Sequence, residues 1–146
     1  MSLPRNSKLS AYQSVAVQGG VTDADPHALV LMLMNAGVER MQLAQGCIAR
    51  GEIARKAQLL HNCVRIIAEL RGSLDLTRGG ELAQNLSDLY EYMAHRLLRA
   101  NAENDSAYVT EVLSLLNEVR GAWAAIGPEV RRSTASGGGV QSTPHG

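Results

Sequence analysis

From Ala28 to Met34 the chain reads ALVLMLM, seven apolar side chains in succession. At 100° per residue these pass all the way round a helix, whereas a surface helix needs only one apolar stripe. Something must therefore cover this segment on more than one side. The run is too short to cross a bilayer, which takes about 20 apolar residues. The cover is expected to be protein, either other helices of this chain or a partner.

Directly before the run stands Asp25-Pro26, a helix start with Asp as N-cap and Pro at the first helical position, where its missing N–H costs nothing. The helix is predicted to end near Gly51, its stripe continuing through Met34, Val38, Met41, Ala44 and Ile48, with Glu39, Gln42 and Gln45 on the other side. A second pattern, Glu52 to Leu74, places Ile53, Ala57, Leu60, Val64, Ile67, Leu70 and Leu74 at alternating fours and threes, the seam of a bundle. Leu59, Cys63 and Ile66 widen it. The stretch DLTRGG, Asp75 to Gly80, supplies a turn. A third helix, Glu81 to Asn101, carries Leu82, Leu86, Leu89, Met93, Leu97 and Ala100, with Tyr90 leaning toward the stripe and Tyr92 expected outside. The fourth starts at Asn104-Asp105 and carries Val109, Val112, Leu113, Leu116, Val119 and Trp123, ending at Gly127-Pro128.

Helices joined by such short links lie antiparallel to their neighbours. The expected fold is all-α: an antiparallel up-down four-helix bundle over residues 26–126. Residues 1–25, polar apart from Leu9, Tyr12, Val15 and Val17, are expected to form a mobile N-terminal arm, and residues 127–146, rich in Gly, Ser and Thr, a disordered C-terminal tail. Composition agrees. Apolar residues make up 45% and aromatics 3%, with no Phe, a palette that suits helices.

Lys plus Arg and Asp plus Glu balance at 14 each, so the charge footprint of a nucleic-acid or anionic-membrane binder is missing. The first residues lack the apolar core of a secretory signal, and a cytoplasmic location is expected. Cys47 and Cys63 fall within helical patterns with no ligand spacing and read as buried, reduced thiols.

Catalytic chemistry finds little support. A di-metal bundle needs inward carboxylates and paired Glu-x-x-His motifs, and the chain has none; Glu91 and His95 are expected to share a surface hydrogen bond or ion pair. His61 invites comparison with histidine phosphotransfer domains, but Asn62-Cys63-Val64 follow it and the nearest cation is Arg65, so a partly buried boundary residue is expected. His27, in the first turn of a helix, reads as a neutral surface histidine. No metal or cofactor is implied.

What remains is surface chemistry. If Met34 and Val38 face the bundle, Leu29 and Met32 point largely away and Leu33 lies on a flank, a patch of the kind that marks an interaction site. Leu9, Tyr12 and Val15, at spacing three, could lay the arm over such a groove as a displaceable lid.

The residues Ser73 to Leu97, SLDLTRGGELAQNLSDLYEYMAHRL, together with AYQ at Ala11 to Gln13 and DPHALVLML at Asp25 to Leu33, resemble the flagellin-specific export chaperones of the FliS family. The likeness covers nearly the whole chain through Trp123; it departs at Met34, where the family usually has an aromatic residue, and at Asn35, often acidic. The resemblance implies a non-enzymatic cytoplasmic protein that binds the C-terminal segment of flagellin, prevents premature polymerisation and helps deliver it to the flagellar export gate. By the same likeness Leu9 and Tyr12 match an apolar-x-x-Tyr element and become candidates for a switch or export-gate contact, while Leu29, Met32 and Leu33, the patch read from the helical spacing, are the expected client contacts. A generic helical adaptor for another amphipathic segment shares every feature except the family block. A homodimer also stays open, since the groove of one copy could take the arm of another.

Overall fold

The computed structural model describes residues 25–127, and these form four helices with no strand among them. They are α1 (Pro26–Arg50), α2 (Ile53–Gly72), α3 (Leu76–Glu103) and α4 (Ser106–Ala125). Leu9 and Tyr12, and most of the expected arm and tail, lie outside the described residues.

Each end has a local cause. The Asp25 carboxylate accepts from Ala28 N–H at 3.1 Å, so Asp25 caps α1 as the sequence predicts. At the other end Gly51 takes φ +73°, its N–H donating to Ile48 O at 3.2 Å while Glu52 N–H reaches Cys47 O at 2.9 Å. That pair of bonds is the Schellman stop, which favours glycine at the left-handed position. Asn104 plays the same part for α3, at φ 55°, and Asp105 then caps α4 by accepting from Ala107 N–H at 2.9 Å.

The third helix begins earlier than the sequence predicts. Asp75 accepts from Arg78 N–H at 3.1 Å and starts a turn at Leu76, and Gly80 then breaks the helical path at φ 56°, ψ −133°. The two glycines do different jobs. A Cβ on Gly79 would lie 2.6 Å from the Ala83 methyl, whereas Gly80 has open space but a backbone conformation that L side chains rarely adopt. Gly80→Ala is expected to cost about 1 to 2 kcal/mol through that strain alone, read as a drop in the denaturant midpoint at unchanged slope.

The described residues divide into two compact units, one made from residues up to Met32 together with those from Arg120 onward, the other from Leu33–Val119. Within the larger unit all four helices pack as an antiparallel bundle. Gln45 donates to Thr110 at 2.9 Å, and Gly37 sits against Leu116, so α1 and α4 run in opposite directions. Lys56 bonds Asn101 and Asn104 while Arg71 bonds Ser87 and Glu91, which sets α2 against α3 in the same way. Met34, Met41, Leu60, Ile67, Leu70, Met93, Leu97, Val109, Val112 and Leu116 are fully buried, each contributing about 1.5 to 3 kcal/mol.

The register of α2 and α3 differs from the expected one. On α2 the buried stripe is Lys56, Leu60, Cys63, Ile67 and Leu70, widened by Ile66, and Ile53 is 49% exposed. Lys56 fits because its ammonium caps the end of α3, donating to Asn101 O at 2.9 Å and Asn104 Oδ1 at 2.6 Å, while its stem packs inside. On α3 the stripe is Ala83, Ser87, Tyr90, Met93, Leu97 and Ala100. Leu82 is left outside, and Ser87 is held by Arg71 Nε at 2.8 Å. Both cysteines are buried and unpaired, and burial pushes the Cys63 thiol up to about 12.

Candidate partner-binding surfaces

No residue of the ALVLMLM run is fully exposed. Leu29 and Leu33, at 8% and 5% exposure, are buried with Met34, and Ala28, Val30, Leu31 and Met32 are half-buried. The apolar face of α1 is therefore broader than the sequence stripe suggests. Of the three candidate residues in the helix, Met32 alone presents part of its side chain. Leu9 and Tyr12 lie outside the described residues.

The smaller unit contains a feature that the sequence reading missed. His27 is 2% exposed, not a surface residue. Its ring stacks on Trp123 with centroids 4.7 Å apart and 11° between planes. Its Nε2–H donates to the Trp123 carbonyl at 2.6 Å, while the indole N–H donates back to the His27 carbonyl at 3.0 Å. A carbonyl can only accept, so the proton sits on Nε2. Nδ1, buried, has no hydrogen-bond partner. Gly127 completes the pocket, since a Cβ there would lie 2.7 Å from His27 Cε1. The sequence signal was available only in combination: one tryptophan, one first-turn histidine and a glycine at the far end.

Along α3 and α4 of the larger unit runs a partly exposed polar ladder. Glu111 accepts from Tyr92 OH at 2.5 Å and from Arg96 Nε at 2.8 Å. The Arg96 guanidinium lies 4.3 Å from the centre of the Tyr108 ring, and Arg99 bonds both Tyr108 OH at 3.1 Å and Glu103 at 2.6 Å. The Tyr92 hydroxyl and then Arg96 hold the Glu111 carboxyl below the usual carboxylate range, while that same hydrogen bond raises Tyr92. A depressed carboxyl contributes stability above its unfolded value and loses it as pH falls through the folded one. Carbon-detected NMR of Glu111 is thus expected to show a midpoint below that of an ordinary glutamate, moving upward in Tyr92→Phe. An unchanged midpoint in that variant would remove the tyrosine from the account.

Two other histidine expectations are corrected. His61 is exposed, not at a boundary, because the α2 stripe turns through Leu60 and Cys63. Glu91 pairs with Arg71 across to α2 at 3.3 Å, and His95 is exposed. Among the described residues no three His, Cys, Asp or Glu side chains gather as a metal site, and no helix is long and apolar enough to cross a membrane. Several large apolar side chains remain in water instead, including Leu43, Ile53, Leu76, Leu82 and Leu98.

Apolar side chains left open on the antiparallel helices of the larger unit suit a protein that binds other proteins. Comparison with known proteins narrows the class. Residues 8–130 match the family described as flagellar protein FliS. The chain is 45% identical to the flagellar secretion chaperone FliSB of Pseudomonas aeruginosa over 118 residues, 81% of this chain and 94% of the relative. It is 38% identical to the FliS of Salmonella typhimurium over 124 residues (84% and 92%), and 34% identical to that of Vibrio cholerae over 132 residues (90% and 97%). The chain belongs to the FliS family of flagellar secretion chaperones, which are chaperones and not enzymes.

Proposed function

We propose that the chain binds the C-terminal segment of flagellin in the cytoplasm, keeps it from polymerising before export, and helps deliver it to the flagellar export gate. Membership in a family of flagellar secretion chaperones carries this reading, because the export substrate is then the partner to be covered. The apolar face of α1 supports it. Met32 is the contact already open in part, and Leu29 and Leu33 become available to a client only when whatever buries them is displaced. Leu9 and Tyr12 are proposed as the switch or export-gate contact. A client segment that orders on binding would lay an apolar helical face into such a surface.

Sedimentation of flagellin filaments tests the proposal. An equimolar amount of the chain is expected to lower the sedimented fraction several-fold, and Met32→Ser is expected to restore it while the bundle keeps its melting temperature. Filament yield indifferent to the wild-type chain would contradict the reading.

A further inference from the structure

The clasp between His27 and Trp123 ties the first turn of α1 to the last turn of α4, partners 96 residues apart in the chain. It is built around one ionisable ring that is 2% exposed. With its proton on Nε2, the ring donates to the Trp123 carbonyl at 2.6 Å and lies flat on the indole. Nδ1 is buried and bonds nothing. Gly127 lies against the ring edge between the two nitrogens, where a Cβ would stand 2.7 Å from Cε1 and 3.3 Å from Nδ1. Among the described residues of this unit the other charged side chains are Asp25, at the α1 cap, and Arg120, on α4. Neither bonds Nδ1. The Asp25 carboxylate is turned to Ala28 N–H at 3.1 Å, and Arg120, itself a cation, cannot neutralise an imidazolium.

A second proton on this ring has no favourable place inside the clasp. Nδ1–H would be a buried donor without an acceptor, and its charge would sit away from water at the positive end of a helix dipole. The indole face attracts an imidazolium and offsets part of that cost. Turning the ring out to water removes the cost altogether, at the loss of the stack and of the bond from Nε2. The open form therefore takes up the proton that the closed form excludes, and acid favours opening.

We infer that His27 and Trp123 form a proton-operated latch, closed while the imidazole is neutral and released on acidification. Release separates the start of α1 from the end of α4 and loosens the segment that carries Leu29, 8% exposed while the latch is closed. The larger unit, Leu33–Val119, has its own buried core and keeps its helices. The latch needs no client and is independent of the proposed function.

Trp123 is the single tryptophan of the chain, so its emission reads the latch without a label. The full chain is titrated between about pH 8 and about pH 5, the range in which histidine changes charge. Wild type is expected to show one reversible step in which the emission maximum moves to longer wavelength and acrylamide quenches more strongly, while helical circular dichroism is kept. His27→Phe keeps a flat ring against the indole and takes up no proton, so its step is expected to vanish. His61, His95 and His145 remain in that variant and would still report if they were the cause. Should His27→Phe fold poorly, nitrogen NMR of wild type decides, because protonation at His27 Nδ1 has to coincide with the emission step. A flat wild-type titration, a step that persists in folded His27→Phe, or His27 protonation out of register with the emission change would overturn the proposal. So would protonation that quenches Trp123 with no red shift and no gain in acrylamide access, since the imidazolium would then stay stacked.

Discussion

Replacing Gly37 with valine is expected to destabilise the bundle by about 3 kcal/mol, the upper end for overpacking a core. Gly37 lies where α1, α2 and α4 approach one another. A Cβ there would already stand 3.3 Å from a Leu116 methyl, 3.5 Å from an Ile66 methyl and 4.0 Å from Met41 Cε. Alanine needs only a shift of a few tenths of an ångström, and its helix propensity, better than glycine's by about 1 kcal/mol, offsets the crowding. Valine places two further methyls where Leu116 and Ile66 already are, and neither neighbour is at a free surface. Urea denaturation followed by circular dichroism separates the cases: Gly37→Ala close to wild type, Gly37→Val far below it. A near-neutral valine would show that the helices are free to spread at this point.

Trp123→Ala is expected to cost about 2 to 3 kcal/mol. A fully buried tryptophan is worth about 3 to 5 kcal/mol, and Trp123 is half-buried, which reduces the packing share. Two specific losses add to it. The stacked face of His27 is uncovered, and the bond from the indole N–H to the His27 carbonyl disappears. The bond from His27 Nε2 goes to the backbone carbonyl of residue 123 and can survive the substitution. A double-mutant cycle with His27→Ala therefore isolates the side-chain coupling, expected at about 1 kcal/mol. Strict additivity of the two single variants would mean that stacking contributes nothing.

Helix number and ends were legible in the sequence where a residue has one physical use. Asp25-Pro26 can start a helix and Gly51 can stop one, and each is used so. Where several faces were equally apolar, the stripe was ambiguous by one residue. On α2 the set Leu60, Cys63, Ile67 and Leu70 extends back by four to Lys56, but the apolar side chain of Ile53 offered an alternative and drew the seam through Ala57 and Val64 instead. On α3 the regular helix starts only after the positive φ of Gly80, and an isolated glycine pair signals a turn without saying how the next helix is rotated. Tertiary partners were the least legible. His27 needs Trp123 from the far end of the chain, and Lys56 needs two acceptors from the end of α3. The candidate site was legible as chemistry, an excess of apolar surface on α1, but not as exposure: burial of Leu29 and Leu33 depends on what packs against them.

Calorimetric titration of the folded chain with the C-terminal segment of flagellin from the same organism, repeated at several temperatures, tests the central claim most directly. Binding is predicted to be one-to-one, with a negative heat-capacity change from apolar burial. Absence of binding by a chain that keeps its helical circular dichroism would contradict the account.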